Sequence, residues 1–431
     1  MAAPGRDITV ALLGGGTVGG QVARIICENA DELASRVGAR MVLTGVAVRD
    51  LARERAGIDP TLLTTDAASL AASGADVVVE LIGGIEPANS WILSAIGAGS
   101  SVVTANKALV AERGQYLHDA AEAAGVDLYY EAAVAGAIPL LRPLADSLAG
   151  DRVRRVLGIV NGTTNYILTR MDEEAADYAE VLAEAQRLGF AEADPTADVA
   201  GYDAAAKAAI LASLAFHTRV TLDDVYREGI TDVTAEDVAA AKEMGFVVKL
   251  LFVAELTQGG LCVRVHPAMV PRSHPLASVR LAFNAVFVEA DAAGEVMFYG
   301  QGAGGQPTAS AVLGDLVTAA RHRVTGSLGA AASTHGDFNL LPVTDATTCF
   351  YVNLHVIDQP GVLARIAQKF ADHGVSISTV RQDGEGDDAR LIIRTHAARD
   401  GSLYATLADL RSLPEVRQVV GSMRVIRGPG E

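Results

Sequence analysis

An aspartate and a lysine, four residues apart, begin an otherwise uncharged helical stretch in the middle of the chain. The sequence has Asp203 and Lys207 at this spacing, which puts a carboxylate and an ammonium group on one face of a helical turn. An exposed ion pair is the ordinary interpretation of such a spacing. After Lys207, however, no lysine, arginine or carboxylate follows until Arg219, so the helix is predicted to be largely buried. Because a buried ammonium group needs a partner or a task, the pair suggests proton transfer.

Further polar groups precede this pair and predict a substrate pocket. A helical pattern stops at Gly189, a candidate C-terminal cap, and an acidic loop with Glu192, Asp194 and Asp198 leads to Asp203. Carboxylates beside a lysine suit a small substrate that carries an ammonium group. Upstream, the strand 156–160 ends in the turn 161–165, whose backbone and hydroxyl donors suit a substrate carboxylate.

The amino terminus has the pattern of a dinucleotide-binding turn. An apolar strand at 7–13 leads directly into Gly14, Gly16 and Gly19 of a G-x-G-x-x-G motif, and a helical pattern follows. In this context the first glycine makes the tight turn, the second lets a pyrophosphate approach, and the third lets helix pack on strand. The pyrophosphate is expected at the helix N-terminus.

Later strands predict where the ligand crevice lies, because ligands bind at the carboxyl ends of parallel strands. The second strand, 41–48, ends in Arg49 and Asp50, and we favour NADP over NAD, with Arg49 and Arg53 on the 2′-phosphate. The fourth strand, 101–104, places Lys107 on the cofactor side. A fifth strand, 127–131, runs into small apolar residues at 132–139, either a tight domain-crossing turn or a segment whose carbonyls face a ligand or cation.

The rest of the chain predicts two further folding units. Strands at 247–256, 261–265, 285–289 and 296–299 indicate an antiparallel open sheet, and the glycine-rich turn 300–308 precedes a helix at 309–321 that returns to the nucleotide domain. After a predicted linker at 331–347, the pattern indicates a separate βαββαβ unit of roughly 80 residues.

Composition restricts the class of protein. The chain has 431 residues, half of them apolar, and a formal net charge of −17, which argues against nucleic acid or an anionic membrane as a partner. Its start lacks a signal-peptide pattern, and no apolar run approaches the roughly 20 residues that span a bilayer. Three scattered cysteines fit a reducing cytoplasm.

These residues together resemble the homoserine dehydrogenase family over nearly the whole chain. The most specific segment runs from Ala185 through Gly189, Asp194-Pro195 and Asp198 to Lys207, and Thr104–Lys107, Asn161–Asn165 and Gly302–Ser310 are also similar. The C-terminal unit, with Asp358 and Pro360–Leu363, resembles an ACT domain. The implied fold is α/β, with a Rossmann-type nucleotide-binding domain (1–135 plus about 305–345), an α+β substrate and dimerisation domain (136–304) and an ACT-like domain (348–431).

The resemblance implies NAD(P)-linked interconversion of L-homoserine and L-aspartate 4-semialdehyde in threonine, methionine and isoleucine biosynthesis. Lys207 would be the proton donor and Lys107 a second catalytic lysine that also contacts the cofactor. The implied substrate residues are Glu192, Asp203, Asp198 and Thr163. The implied cofactor contacts are Gly14, Gly16, Thr17, Val18, Gly19, Arg49, Arg53, Gly189 and Gly305. A sodium ion would be held by Glu131, Val134, Gly136 and Ile138. The implied partners are an amino-acid effector such as threonine and further copies of the chain, as a dimer or tetramer.

Two other functions remain open at this stage. A phosphorylating semialdehyde dehydrogenase would need a nucleophilic cysteine, and none of Cys27, Cys262 and Cys349 has a histidine nearby in sequence. A non-catalytic sensor of NADP and an amino acid would not need the lysines and carboxylates. The ACT-like unit can also be structural, acting only in dimerisation.

Overall fold

A computed structural model describes residues 6–55, 57–329, 335–384 and 389–427. The start of the predicted linker 331–347 and the last residues of the C-terminal unit therefore lie outside the described residues. No helix within those four ranges has the length and apolar character needed to cross a membrane.

The first third of the chain forms a parallel sheet of six strands in the order β3-β2-β1-β4-β5-β6. Its central strands β1, β4 and β5 are buried along almost their whole length because helices cover both faces. This confirms the Rossmann-type expectation. The elements are β1 Ile8–Leu13, α1 Thr17–Glu28, α2 Ala30–Val37, β2 Met41–Ala47, β3 Leu63–Thr64, α3 Ala67–Ala71, β4 Val77–Glu80, α4 Ala88–Gly97, β5 Ser101–Thr104, α5 Lys107–Ala124 and β6 Leu128–Tyr129.

One predicted strand, 127–131, was too long. The extended segment β6 ends at Tyr129, and Glu131 begins a short 3-10 turn. The carboxylate of Glu131 accepts hydrogen bonds from the amides of Leu140, Leu141 and Arg142, at 2.5, 2.7 and 3.0 Å. These bonds fold the chain back on itself, so Glu131 cannot continue the sheet.

The middle of the chain forms a second, mixed sheet. Its elements are β7 Val153–Ile159, α6 Gly162–Glu174, α7 Tyr178–Arg187, α8 Thr196–Val199, α9 Tyr202–Ala215, β8 Val225–Arg227, α10 Ala235–Glu243, β9 Phe246–Thr257, β10 Gly260–Pro271, β11 Phe283–Ala290 and β12 Gly294–Gln301. The predicted antiparallel pairings are present, as β9 with β10 and β11 with β12. Helices α6, α9 and α10 pack on β9 and β10.

Helix α11, Gly305–Thr325, then packs against α1 and α2 of the nucleotide-binding part. It begins four residues before the predicted start at 309. Pro307 lies in its first turn, where a missing amide hydrogen costs no helical bond. A Cβ added at Gly305 would lie 2.8 Å from Cγ2 of Thr17, so the two glycine-rich turns touch at this point.

The C-terminal unit contains β13 Thr347–Val356, α12 Val362–Asp372, β14 Ile377–Asp383, β15 Ala389–Thr395, β16 Ala398–Arg399, α13 Asp400–Arg411 and β17 Val416–Val425. It has its own core, which includes Phe350, Ile366 and Phe370. It is not separate, however. The end of β17 pairs in parallel with β10, at Arg424 and Val425, and this joins both units in one sheet of eleven strands.

A half-buried histidine on α5, beside the residue that follows β6, makes the fold sensitive to acid. Nε2 of His118 lies 3.0 Å from the hydroxyl of Tyr130, and burial lowers the pKa of His118 to about 4. The ordinary histidine pKa is about 6.5, so between pH 6.5 and 4 the unfolded chain binds the extra proton. The stability contributed by neutral His118 is therefore complete above pH 6.5 and is lost as the pH falls.

We expect His118→Gln to reduce this pH dependence, because glutamine keeps a hydrogen-bonding group toward Tyr130 but does not titrate. The loss of unfolding free energy between pH 8 and 5 should be about 2 kcal/mol smaller than in the parent protein. Denaturant unfolding at both pH values measures it, and the pH 8 data isolate any packing change. Equal losses in the two proteins would contradict this role of His118.

Candidate active site

Two lysines from different domains meet on one carboxylate. Nζ of Lys207 donates hydrogen bonds to Oδ2 of Asp203 and to the carbonyl oxygen of Val160, both at 2.7 Å. Nζ of Lys107 bonds to the other carboxylate oxygen, Oδ1 of Asp203. The Lys207 side chain is 11% exposed and that of Lys107 is 47% exposed. The site therefore has one enclosed and one accessible ammonium group on a shared anion.

The lysines also determine the charge state of this carboxylate. Burial alone would raise the pKa of Asp203, but the charges of Lys207 and Lys107 outweigh burial and hold it well below its ordinary value. Asp203 therefore stays ionised at neutral pH, and it can hold both ammonium groups in fixed positions.

Local helix chemistry positions these groups. Lys107 is the first residue of α5, and the side chain of Asn106 caps that helix by accepting from the amide of Leu109. Asn161 caps α6 in the same way. The Nδ2 group of Asn161 also donates to Asp203 and Asp198, at 3.0 and 2.7 Å.

Both lysines line a cavity of about 320 Å³. Its other walls come from the ends of β4 and β5, from the turn 132–136 and from the turn 302–308. This is the crevice at the carboxyl ends of parallel strands, where ligands of such sheets bind. A larger cavity, of about 1290 Å³, lies beside later turns of α5 and α9 and is lined by neither lysine. The smaller cavity is therefore the candidate active site.

Other predicted substrate residues lie around this cluster at varying distance. Asp198 joins it through Asn161, whereas Glu192 is exposed on the loop before α8. The hydroxyl of Thr163 donates to the carbonyl oxygen of Phe190, 2.7 Å away. Gly189 has a φ of +79°, so it ends the α7 segment in a left-handed conformation. The structure brings Asp203, Asp198 and the lysines together, whereas Glu192 and Gly189 are not among the described residues that line the cavity.

The glycine-rich turn has a shape that fits a pyrophosphate. A Cβ at Gly19 would lie 1.8 Å from the carbonyl oxygen of Gly14, so this position requires glycine for packing. A Cβ at Gly16 would meet nothing within 4 Å, so the space above it is open. Helix α1 begins next to Gly16, with Thr17 exposed and Val18 half-buried, and its N-terminus has no side-chain cap. Its first amides can therefore bind an anion.

The strand tip after β2 presents the arginines predicted to bind a phosphate. Arg49 and Arg53 are exposed, and Asp50 accepts a hydrogen bond from the amide of Ala52. The carboxylate of Asp50 is therefore engaged within its own turn. A third arginine, Arg55, was not predicted to have a role here. Its Nε donates to the carbonyl oxygen of Gly15 at 3.1 Å, and its Nη1 donates to the carbonyl oxygens of Asp50 and Arg53.

The predicted cation segment has an unusual backbone. Ala135 and Gly136 have φ values of +58° and +57°, and left-handed conformations at a residue other than glycine are often functional. The carboxylate of Glu131 is saturated by backbone amides, so only carbonyl oxygens of Glu131, Val134, Gly136 and Ile138 remain for an ion. Oxygen ligands of this kind suit a hard cation.

The surroundings of this segment are acidic. Asp315 on α11 accepts a hydrogen bond from the amide of Glu131 at 2.8 Å, and one guanidinium group, on Arg142, lies 3.5 Å from both carboxylates. Burial, with the charge of Glu131, raises the pKa of Asp315 to about 7. Two carboxyl groups and one guanidinium therefore lie beside the segment, with Asp315 about half protonated near neutral pH. Within the described ranges, no cluster of three or more histidine, cysteine, aspartate or glutamate side chains is arranged for a metal ion.

The cysteines are not at the candidate active site. The described lining of the 320 Å³ cavity contains no cysteine. Cys262 is buried, and burial raises the pKa of its thiol, which makes it a poor nucleophile. The structure therefore gives no support to a cysteine-dependent semialdehyde dehydrogenase.

The positioning roles of Asn161 and Glu80 were not predicted from the sequence. Asn161 precedes a glycine and two threonines after a strand, which is a recognisable helix-capping pattern, but its second role on Asp203 depends on tertiary contacts. Glu80, at the end of β4, is fully buried and accepts from the amides of Ile82 and Gly83 and from the hydroxyl of Thr104. It shapes the glycine turn of the cavity wall.

Comparison with known proteins agrees with this geometry. The profile described as homoserine dehydrogenase matches residues 139–317, the profile described as homoserine dehydrogenase, NAD binding domain, matches 14–131, and an ACT domain profile matches 350–415. A homoserine dehydrogenase of Mycobacterium tuberculosis is 55% identical over 437 residues, which cover 99% of each chain.

Solved structures give the same result. A homoserine dehydrogenase from Thiobacillus denitrificans superposes with a TM-score of 0.93 at 40% identity and covers 98% of each chain. A hyperthermophilic archaeal homoserine dehydrogenase in complex with NADPH has a TM-score of 0.62 at 26% identity, and the match covers 73% of this chain and 98% of that one. The chain belongs to the homoserine dehydrogenase family and is an NAD(P)-dependent enzyme of amino-acid biosynthesis.

Proposed function

We propose that the enzyme interconverts L-aspartate 4-semialdehyde and L-homoserine, with NADPH as the preferred coenzyme, in the biosynthesis of threonine, methionine and isoleucine. One observation carries the proposal most directly. Two lysines that share one aspartate, Asp203, line a small cavity at the carboxyl ends of β4 and β5, beside an open glycine-rich turn. This is the arrangement that reduction of a small amino-acid aldehyde needs.

Lys207 is the proton donor in this proposal. A bound NADPH supplies a hydride to the carbonyl carbon, and negative charge then develops on the carbonyl oxygen. Lys207 transfers a proton to that oxygen, which gives the alcohol, and the reverse reaction returns the proton to Lys207. Lys107, the more accessible ammonium group, stabilises the developing charge near the oxygen. Asp203 holds both groups at the cavity wall.

The substrate's own charges are held by the surrounding polar groups. Asp203, Asp198 and Glu192 provide carboxylates for the substrate ammonium group, and the backbone amides of the first turn of α6, including that of Thr163, provide donors for its carboxylate. The N-terminus of α6 begins at Gly162, and helix N-termini favour anions.

NADPH preference follows from the strand tip after β2. Two exposed arginines, Arg49 and Arg53, can bind a 2′-phosphate, while one oxygen of the Asp50 carboxylate accepts a hydrogen bond from the amide of Ala52. The related archaeal enzyme in complex with NADPH supports this choice. The other contacts proposed are Gly14, Gly16, Thr17, Val18, Gly19, Lys107, Gly189 and Gly305.

The double variant Arg49→Ala/Arg53→Ala is expected to raise KM for NADPH by about 10–100-fold, the equivalent of one or two charge-assisted hydrogen bonds. KM for NADH should change little, since NADH lacks the 2′-phosphate. Initial rates with L-aspartate 4-semialdehyde and each coenzyme measure both values. Arg40→Ala, at the opposite end of β2, is the matched control. An equal rise for both coenzymes would contradict this specificity.

A sodium ion is proposed on the carbonyl oxygens of Glu131, Val134, Gly136 and Ile138. The left-handed turn and the acidic surroundings support it. Its role would be structural, because it would hold in place a segment that lines the active-site cavity at Gly136. This segment packs tightly, since a Cβ added at Gly136 would lie 2.5 Å from Gly302.

Feedback control by threonine, through the ACT domain, and assembly into a dimer or tetramer complete the proposal. The shared sheet means that deleting residues from 346 onward would strip the β17 partner from β10. Feedback is therefore better tested on the full chain. We expect threonine, and not alanine, to inhibit the enzyme in initial-rate assays.

A further inference from the structure

The joint between α8 and α9 determines the positions of Asp198 and Asp203, two carboxylates proposed to bind the substrate. Asp198 lies on α8 and Asp203 on α9, and both accept hydrogen bonds from Nδ2 of Asn161. Between them the chain turns at Gly201, which has a φ of +81°. A shift at this joint would change the separation of the two carboxylates.

The side chain of Arg227, which lies outside this loop, contacts both the α8 side and the α9 side of the joint. Nη1 of Arg227 donates a hydrogen bond to the carbonyl oxygen of Ala200, the C-cap of α8. The guanidinium carbon of Arg227 also lies 3.5 Å from the ring centroid of Tyr202, the first residue of α9. The planar guanidinium can do both at once, because it donates at its edge and stacks with its face.

The backbone after Arg227 supports the same segment. The amide of Ile230 donates to the carbonyl oxygen of Val199 at 2.8 Å. Gly229 leaves no room for a side chain, since its Cβ would lie 2.3 Å from that oxygen. Arg227 is the last residue of β8 and pairs with Val265 of β10, so its contacts with the joint are anchored in the central sheet.

Glu228, the residue after Arg227, connects this segment to the C-terminal unit. Glu228 accepts a hydrogen bond from Nη1 of Arg424 at 3.0 Å. The Arg424 side chain is 4% exposed, and its Nε donates to Asp400 at the start of α13, 2.8 Å away. Glu228 is 43% exposed and Asp400 is fully buried. Arg424 is thus fixed from the ACT side by Asp400, and on the catalytic side it bonds to Glu228, lies 5.2 Å from the ring centroid of Tyr226 and pairs with Ala268 of β10.

We infer that Arg227 is a positioning residue for substrate binding, which fixes the α8–α9 joint, and that the Glu228–Arg424 ion pair transmits the state of the ACT domain to that joint. Arg227 acts through the loop and does not touch the reacting atoms. Its loss should weaken substrate binding more than it slows the chemical step, because Lys207 remains hydrogen-bonded to Val160 and Asp203.

The first test is Arg227→Met, which keeps a long apolar side chain over Tyr202 but removes the donor. We expect KM for L-aspartate 4-semialdehyde to rise about tenfold, with kcat within about threefold of the parent and KM for NADPH unchanged. Arg227→Lys, which can still donate to Ala200, should recover part of the substrate KM. Arg272→Met, whose arginine pairs with Asp172 outside the site, is the control and should leave all three constants unchanged.

A contrary pattern would overturn the positioning role. If kcat and both KM values change together, and Arg227→Lys is no better than Arg227→Met, Arg227 only stabilises the fold.

The second test, Glu228→Gln, rests on the proposed threonine feedback. It weakens the contact with Arg424 but leaves Arg424 bound to Asp400, so the ACT core stays intact. We expect a substrate KM within about twofold of the parent without threonine and at least a fivefold weaker inhibition with it. Inhibition equal to that of the parent would overturn the transmitting role. If the parent itself is not inhibited, the feedback proposal fails, and with it the transmitting role, while the Arg227 result still decides the positioning role.

Discussion

Replacing Lys207 with alanine is expected to lower kcat for semialdehyde reduction by about 10²–10⁴-fold, the usual contribution of a positioned general acid. Lys207 is the ammonium group held between the carbonyl oxygen of Val160 and Asp203, with a side chain 11% exposed, so bulk water is a poor substitute for it. NADPH binding should persist, because the glycine-rich turn does not depend on Lys207. Stopped-flow absorbance of NADPH and fluorescence titration of the coenzyme measure the two effects.

The loss of a buried charge must be distinguished from the loss of chemistry. Lys249→Met is a matched control, since Lys249 is also buried and donates to Asn165 and to the carbonyl oxygen of Val279, at 2.8 and 2.6 Å. It should lower stability with kcat within about threefold of the parent. If the Lys207→Ala enzyme keeps near-parental kcat, Lys107 becomes the proton donor, an alternative that its position on Asp203 allows.

Local spacing made part of this site predictable. Asp203 and Lys207 are one helical turn apart, so their contact follows from helix geometry alone. Lys107 is 96 residues from Asp203, and their contact exists only because α5 and α9 pack across the two domains. The sequence placed Lys107 at a strand's carboxyl end, but family resemblance was needed to place it beside Lys207.

The fold shows the same division between local and distant information. The βαββαβ order of the C-terminal unit was predicted, because alternation and helical period are local patterns. Its union with the catalytic sheet depends on two residue pairs, Ala268 with Arg424 and Met269 with Val425. No pattern in either strand signals this pairing. The same holds for Arg227, whose main partner is a backbone carbonyl, a group that every residue has.

Asp203→Asn should be the most damaging isosteric change in the site. The carboxylate accepts from Lys107, Lys207 and Asn161, and an amide would turn a donor toward one of these three donors. Breaking a buried ion pair on one side typically costs about 3–5 kcal/mol of unfolding free energy. We also expect kcat/KM for the semialdehyde to fall at least about 100-fold, because both lysines lose their position.

The pH dependence gives this prediction a second, independent readout. The charges of the two lysines outweigh the effect of burial and hold the pKa of Asp203 below its ordinary value. The contribution of ionised Asp203 to the free energy of unfolding is therefore present above about pH 4 and is lost as the pH falls further. The gap in unfolding free energy between the parent and Asp203→Asn should therefore be largest near pH 7 and should narrow below about pH 4. Asp198→Asn is the comparison, since Asp198 accepts from the same Asn161 amide but contacts neither lysine in the described structure. It should raise substrate KM while both lysines stay bound to Asp203. Parallel stability curves for the parent and Asp203→Asn proteins would mean that the lysines do not depend on this carboxylate, and the shared-anion arrangement would then not be the basis of the site.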